Sequence, residues 1–144
     1  MPDVEGPVHA YVPSAPGCRA AFGEAQADEL TRFGYPPAHR IVVDAYMAQH
    51  PGDGTDRRDR RSILAHLVGL CAVLEEGWPP GRAGTLLGRI AAWPDHPGLA
   101  RTGGPGRLTV LHLRGAHDPP DHERRARQWA SAVWDSWADH HGTV

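Results

Sequence analysis

Apolar positions recur at three- and four-residue intervals over four long stretches, and at 100° per residue each stretch resolves into a stripe. The first runs from Gly17 to Phe33, with Cys18, Phe22, Ala25, Glu29 and Phe33 on one side, so that Glu29 interrupts an otherwise apolar face. The second, Ala38 to Gln49, is apolar almost all round and aligns His39, Val43, Tyr46 and His50, which predicts burial on more than one side. The third, from about Arg57 to Glu76, has the strongest core face in Ile63, Leu67, Leu70, Cys71 and Leu74. On its flank Ser62, His66, Gly69 and Val73 share a stripe, and Ser62 and Gly69 are small enough to let another helix approach His66. The last, from about Asp121 to His141, places His122, Ala126, Trp129, Val133, Trp137 and His140 together, opposite Arg124, Gln128, Ser131, Asp135 and Asp139.

Turn residues separate these stretches. Residues 1–16 hold four prolines and read as an extended lead-in ending at a helix-start proline, Pro16. Gly34 suits the position after a helix end, Pro51 and Gly52 close the second helix, and Asp53, Thr55 or Asp56 can cap the third. Gly77 and Pro79–Pro80 end it, and a shorter helix from about Arg82 to Ala92 follows. Residues 94–118 form a Pro/Gly-rich loop insertion, within which Leu108 to Leu113 alternates weakly and reads as a short strand or extended linker. The pattern predicts an all-α fold: one domain over residues 1–144, a small helical bundle of four long helices plus one short helix.

Composition narrows the function classes. All 15 basic residues are arginine, and lysine and asparagine are absent, a bias expected of GC-rich coding that strips arginine counts of functional weight. The formal charge is −2, which argues against nucleic acid as a partner; the one basic run, RRDRR at Arg57–Arg61, follows acids at a helix start and reads as a solvated face. No apolar stretch reaches the roughly 18 residues needed to span a bilayer, so no membrane partner is expected. The first residues carry neither a basic nor an apolar leader pattern, and Cys18 and Cys71 form no CxxC pair, so the expected location is the cytoplasm with both thiols reduced. A monomer and a homodimer both fit.

Four segments carry a family resemblance: HAYVPSAPGCRAAFGE at His9–Glu24, HRIVVDAYMAQHPG at His39–Gly52, HLVGLCAVLEEG at His66–Gly77 and WASAVWDSWADHH at Trp129–His141. Their order and spacing resemble an uncharacterised bacterial domain family, domain of unknown function 5946, over most of the chain. The resemblance implies a small, self-contained soluble domain and brings no reaction, substrate or cofactor. It points to His9, Cys18, Glu24, Asp44, Gln49, His50, His66 and His140 as motif positions. Family members that carry a CxxC pair ahead of the first motif differ here, since this sequence has none; a zinc site on that pair is not implied.

Polar residues on apolar stripes of four helices supply the candidate chemistry. Facing helices of a bundle can converge His and carboxylate groups on one ion. His50, His66 and His140 are the candidate ligands, with His9, Cys18 and Asp44 in reserve and Glu29 as a fourth ligand or base. Neutral imidazoles with a carboxylate suit zinc, iron, manganese or nickel, and an open position would activate water for hydrolysis of a small molecule. Trp129, Trp137 and Tyr46 would wall the substrate site. The alternative is a non-catalytic module that binds a small molecule or a protein, with structural histidines; the absence of HExxH, ExxH, HxxxH and CxxC spacings favours it. A common ion requires the His50, His66 and His140 nitrogens within about 5 Å of one point. Asp44 and His50, six residues apart and so about 120° apart on the helix, could orient one another only loosely, which disfavours a dyad within that helix.

Overall fold

The computed structural model describes residues 16–101 and 103–144, with backbone only at 87, 90 and 91. The extended lead-in predicted over residues 1–16, apart from Pro16, lies outside the described residues, as does His9. Five α-helices occur among them: α1 (Pro16–Thr31), α2 (His39–Gln49), α3 (Arg57–Leu74), α4 (Pro80–Ala83) and α5 (Pro119–Asp135), with 3₁₀ turns at Gly84–Ala92, Val110–Leu113 and Ala138–His140. No strand is present among the described residues, and the all-α class stands. None of these helices is long and apolar enough to cross a membrane.

Helix α2 lies at the centre. It packs against both α3 and α5, while α1 contacts α2 and the 110–113 turn. Its near-continuous apolar sequence is buried on more than one side, with Ile41, Val42, Ala45, Tyr46 and Ala48 all inside. Ile63, Leu67 and Leu70 of α3 and Ala126, Trp129, Val133 and Trp137 of the last stripe complete the core. Each large side chain among them contributes about 1.5 to 3 kcal/mol of apolar burial. Cys71 and Leu74, expected on the strongest face, are only half-buried at its edge. Cys18 is buried, and Cys18 and Cys71 form no disulfide.

Local chemistry explains the helix ends. Asp56, one of three capping candidates, accepts the Asp59 N–H at 2.7 Å and opens α3; Asp118 accepts the Asp121 N–H at 2.8 Å and opens α5. Gly34, at φ 65°, turns the chain out of α1, and Tyr35 follows at φ 53° with its N–H on Glu29 O. That left-handed pair costs a non-glycine residue energy at Tyr35 and aims the chain back toward α2.

Three predicted elements differ. The short helix at 82–92 is a single α turn, Pro80–Ala83, running into a 3₁₀ turn. Leu108–Leu113 is neither strand nor linker: Thr109 caps a 3₁₀ turn in which Val110 and Leu113 point inward, three residues apart rather than two. The weak alternation was a helical period too short to recognise. Finally, α5 stops at Asp135 rather than His141. The Ser136 hydroxyl bonds back to Val133 O at 2.5 Å, and the glycine loop closes over the helix end, where a Cβ on Gly106 would stand 3.1 Å from Ala132 O. A turn then carries Trp137 into the core.

Candidate functional site

Asp44 faces α3 from the middle of α2 and is 1% exposed. A buried carboxylate needs partners, and it has two. Arg40, one turn earlier, donates Nε to Oδ2 at 3.0 Å and Nη2 to Oδ1. His66 of α3 brings Nδ1 to Oδ1 at 2.8 Å. Arg40 Nη2 also lies 3.3 Å from His66 Nδ1, but both atoms face the carboxylate as donors, and the 2.8 Å contact decides the tautomer. In a neutral ring with its proton on Nδ1, the lone pair of His66 would sit on Nε2, away from Asp44.

Gly69 makes this arrangement possible. A Cβ there would come within 2.8 Å of Asp44 Cγ and closer still to Oδ2. The small residue predicted to admit a helix beside His66 in fact admits a carboxylate.

Glu29 is 0% exposed and lies elsewhere, at the end of α1. His39, the first residue of α2, places Nδ1 3.2 Å from its Oε2, and His122, in the first turn of α5, places Nε2 3.8 Å from the same oxygen. Phe33 tilts against the His122 ring at 5.0 Å and Tyr35 against His39 at 4.8 Å. Glu29 Oε1 and His122 Nε2 are buried and have no hydrogen-bond partner among the described residues.

The three histidines proposed as ligands are drawn to different partners. His50 caps the end of α2, its ring tilted on Tyr46 at 4.7 Å, and Tyr46 stacks in turn on Phe22 at 3.9 Å. Burial, reinforced by the Arg101 charge, lowers the His50 pKa to about 4. His66 is held by Asp44, and His140 tilts on Trp137 at 5.7 Å, with Nε2 buried and without a hydrogen bond among the described residues. Among the described residues no group of three or more His, Cys, Asp or Glu side chains is arranged to hold a metal ion. The rings of His50, His66 and His140 lie instead against three different partners, Tyr46, Asp44 and Trp137.

Trp129 and Trp137 are core posts, each almost wholly buried with its indole N–H engaged. Trp129 donates to Gln49 Oε1 at 3.1 Å and Trp137 to Ala48 O at 3.0 Å. Gln49 in turn donates to Pro105 O and Leu108 O at 2.9 and 2.6 Å, pinning the inserted loop to α2. Tyr46, 4% exposed, is equally internal. None of the three opens onto the cavity bounded by His96–Leu99, His140 and Thr143, about 310 Å³ in size.

Sequence reasoning missed Arg40, His39 and His122. Arg40 stands four residues before Asp44, the spacing of a helical ion pair, and both histidines had been placed on apolar stripes. Those signals were present; the pairings between helices were not.

A family model described as a family of unknown function (DUF5946) matches residues 6–138. No curated protein and no solved structure matches. With 133 of its 144 residues matched, the chain belongs to this family of unknown function, DUF5946.

Proposed function

We propose that this protein is a hydrolytic enzyme acting on a small molecule, with His66 as general base and Asp44 as its positioning residue. The observation that carries the reading is the 2.8 Å contact between His66 Nδ1 and Asp44 Oδ1, with the carboxylate clamped from behind by Arg40. A carboxylate on Nδ1 fixes the tautomer and orientation that leave Nε2 as a base. Neither side chain is sealed from solvent: that of His66 is 13% exposed and that of Arg40 20%.

In this reading Nε2 takes a proton from an attacking water and returns it to the leaving oxygen of an ester. Neither Arg40 bond to Asp44 uses Nη1, which can face the oxyanion that develops on the former carbonyl. The hydrolytic part of the sequence reading is thereby kept, with His66 as base in place of ligand. Two cysteines that form no disulfide suit the cytoplasm as the compartment. The binding-module reading rests on the 310 Å³ cavity, into whose lining His140 brings a buried nitrogen without a partner among the described residues.

Two measurements test the dyad. Nitrogen-15 spectra of the histidines should show that the neutral His66 ring carries its proton on Nδ1 and not on Nε2. Hydrolysis of a panel of p-nitrophenyl esters should fall about 100-fold or more in His66→Gln and Asp44→Asn, the usual contribution of a positioned base. A neutral His66 ring protonated at Nε2, or ester hydrolysis unchanged in both variants, overturns the assignment.

A further inference from the structure

A second centre, on residues the dyad does not use, surrounds Glu29. Its carboxylate is sealed from solvent, and among the described residues only His39 and His122 stand within ion-pair distance. No arginine reaches it among the described residues, in contrast to Asp44 and Arg40. Two of the polar atoms here, Glu29 Oε1 and His122 Nε2, are buried without a hydrogen-bond partner among the described residues. A buried polar atom left without a partner is costly, and two on neighbouring side chains mark a site short of an occupant.

We propose that Glu29, His39 and His122 form a binding site for a divalent first-row transition-metal ion. Two imidazoles and one carboxylate are a donor set suited to zinc, and also to iron, manganese or nickel. The spacing fits. Bonds of about 2.0 to 2.2 Å in a tetrahedral shell set neighbouring donors about 3.3 to 3.6 Å apart. The two separations from Glu29 Oε2, 3.2 and 3.8 Å, lie either side of that range. The donors do not yet close on one point, and no ready-made three-residue group exists among the described residues. His39 is the ligand that must turn to close the shell: its side chain is 23% exposed, whereas Glu29 and His122 are held by packing on all sides. An ion here would tie the end of α1 to the starts of α2 and α5.

The test uses the full chain after chelator treatment and dialysis. Zinc titrated calorimetrically should bind at one ion per chain and raise the Tm, since an ion held only by the folded state stabilises it. Cobalt in the same site should develop the visible bands of a low-coordinate nitrogen–oxygen shell. His39→Ala, a change at a part-exposed position that should leave the fold intact by circular dichroism, should weaken zinc at least tenfold, and His122→Gln should do the same. His66→Gln should bind zinc like the parent protein, which separates this site from the dyad. No saturable uptake by the parent protein, or uptake unchanged by both the His39 and His122 substitutions, overturns the proposal.

Discussion

Replacing Gly69 by alanine tests the geometry around Asp44 directly, because ordinary helix chemistry and this structure predict opposite signs. Alanine in a helix interior is favoured over glycine by about 1 kcal/mol. Gly69 lies within α3, so propensity alone predicts stabilisation. The added Cβ, however, would sit 2.8 Å from Asp44 Cγ, where carbon atoms prefer about 3.5 to 4.0 Å. The carboxylate must therefore move by roughly 1 Å. It is buried and held by Arg40 and His66, so it cannot swing into solvent. A shift of that size takes the His66 contact beyond hydrogen-bonding range, at a loss of about 1.5 to 3 kcal/mol, and overpacking adds about 1 to 3. Set against the propensity gain, and allowing that the two losses overlap, the net destabilisation is about 1 to 4 kcal/mol. For a domain of this size that lowers the Tm by about 3 to 12 °C. Gly23→Ala is the control: it lies in α1 with nothing within 4 Å of the new Cβ, and should gain about 0.5 to 1 kcal/mol. Thermal and urea unfolding of both variants give the comparison. A Gly69→Ala protein as stable as Gly23→Ala would refute the placement of Asp44 against α3.

Other outcomes follow from single contacts. Trp129→Phe removes the indole donor from Gln49 Oε1 in a fully buried setting and should cost about 2 to 4 kcal/mol in urea denaturation. Asp56→Ala should cost about 0.5 to 2 kcal/mol through the lost cap, whereas Thr55→Ala, at a position that caps nothing in α3, should leave the same urea midpoint nearly unmoved. His50 has a folded pKa of about 4 against an unfolded value near 6.5, so between those pH values the unfolded chain binds the extra proton. Stability should therefore fall as pH drops from about 6.5 toward 4, and His50→Gln should show a shallower decline in Tm across that window.

The repeating patterns revealed most of the architecture, because a stripe repeated over four or five turns survives any plausible choice of partner. α1, α2 and α3 begin and end within about two residues of the expected places, and α5 begins where Pro119 and Asp118 direct it. Errors fell where one turn of chain had to be judged: the 110–113 turn, and the 136–140 break that depends on the Ser136 hydroxyl and a glycine loop thirty residues earlier in sequence. The site divides in the same way. Glu29, Asp44 and His66 stand out as polar residues on apolar faces, and all three carry buried interactions. That Asp44 joins His66 while Glu29 joins His39 and His122 is a matter of which helix lies beside which, and periodicity within one helix holds no information about its neighbour. His50 and His140 satisfy the same criterion of an imidazole on an apolar stripe, yet they rest on aromatic rings.

The far end of α2 carries a consequence for how the chain comes to be built. Gln49 takes its hydrogen from a tryptophan 80 positions downstream and gives its own to a carbonyl 59 positions downstream, while Ala48 receives from a tryptophan 89 positions away. During synthesis α2 and α3 can meet as soon as both have left the ribosome, but the Gln49 amide then has no protein partner and the surface meant for α5 stays open to water. Such a half-built intermediate exposes apolar area and is prone to associate with other chains until the final helix arrives. Folding of this domain is thus completed from its C-terminal side, and a chain cut short before Trp129 would be expected to behave as a client of chaperones rather than as a smaller version of the same fold.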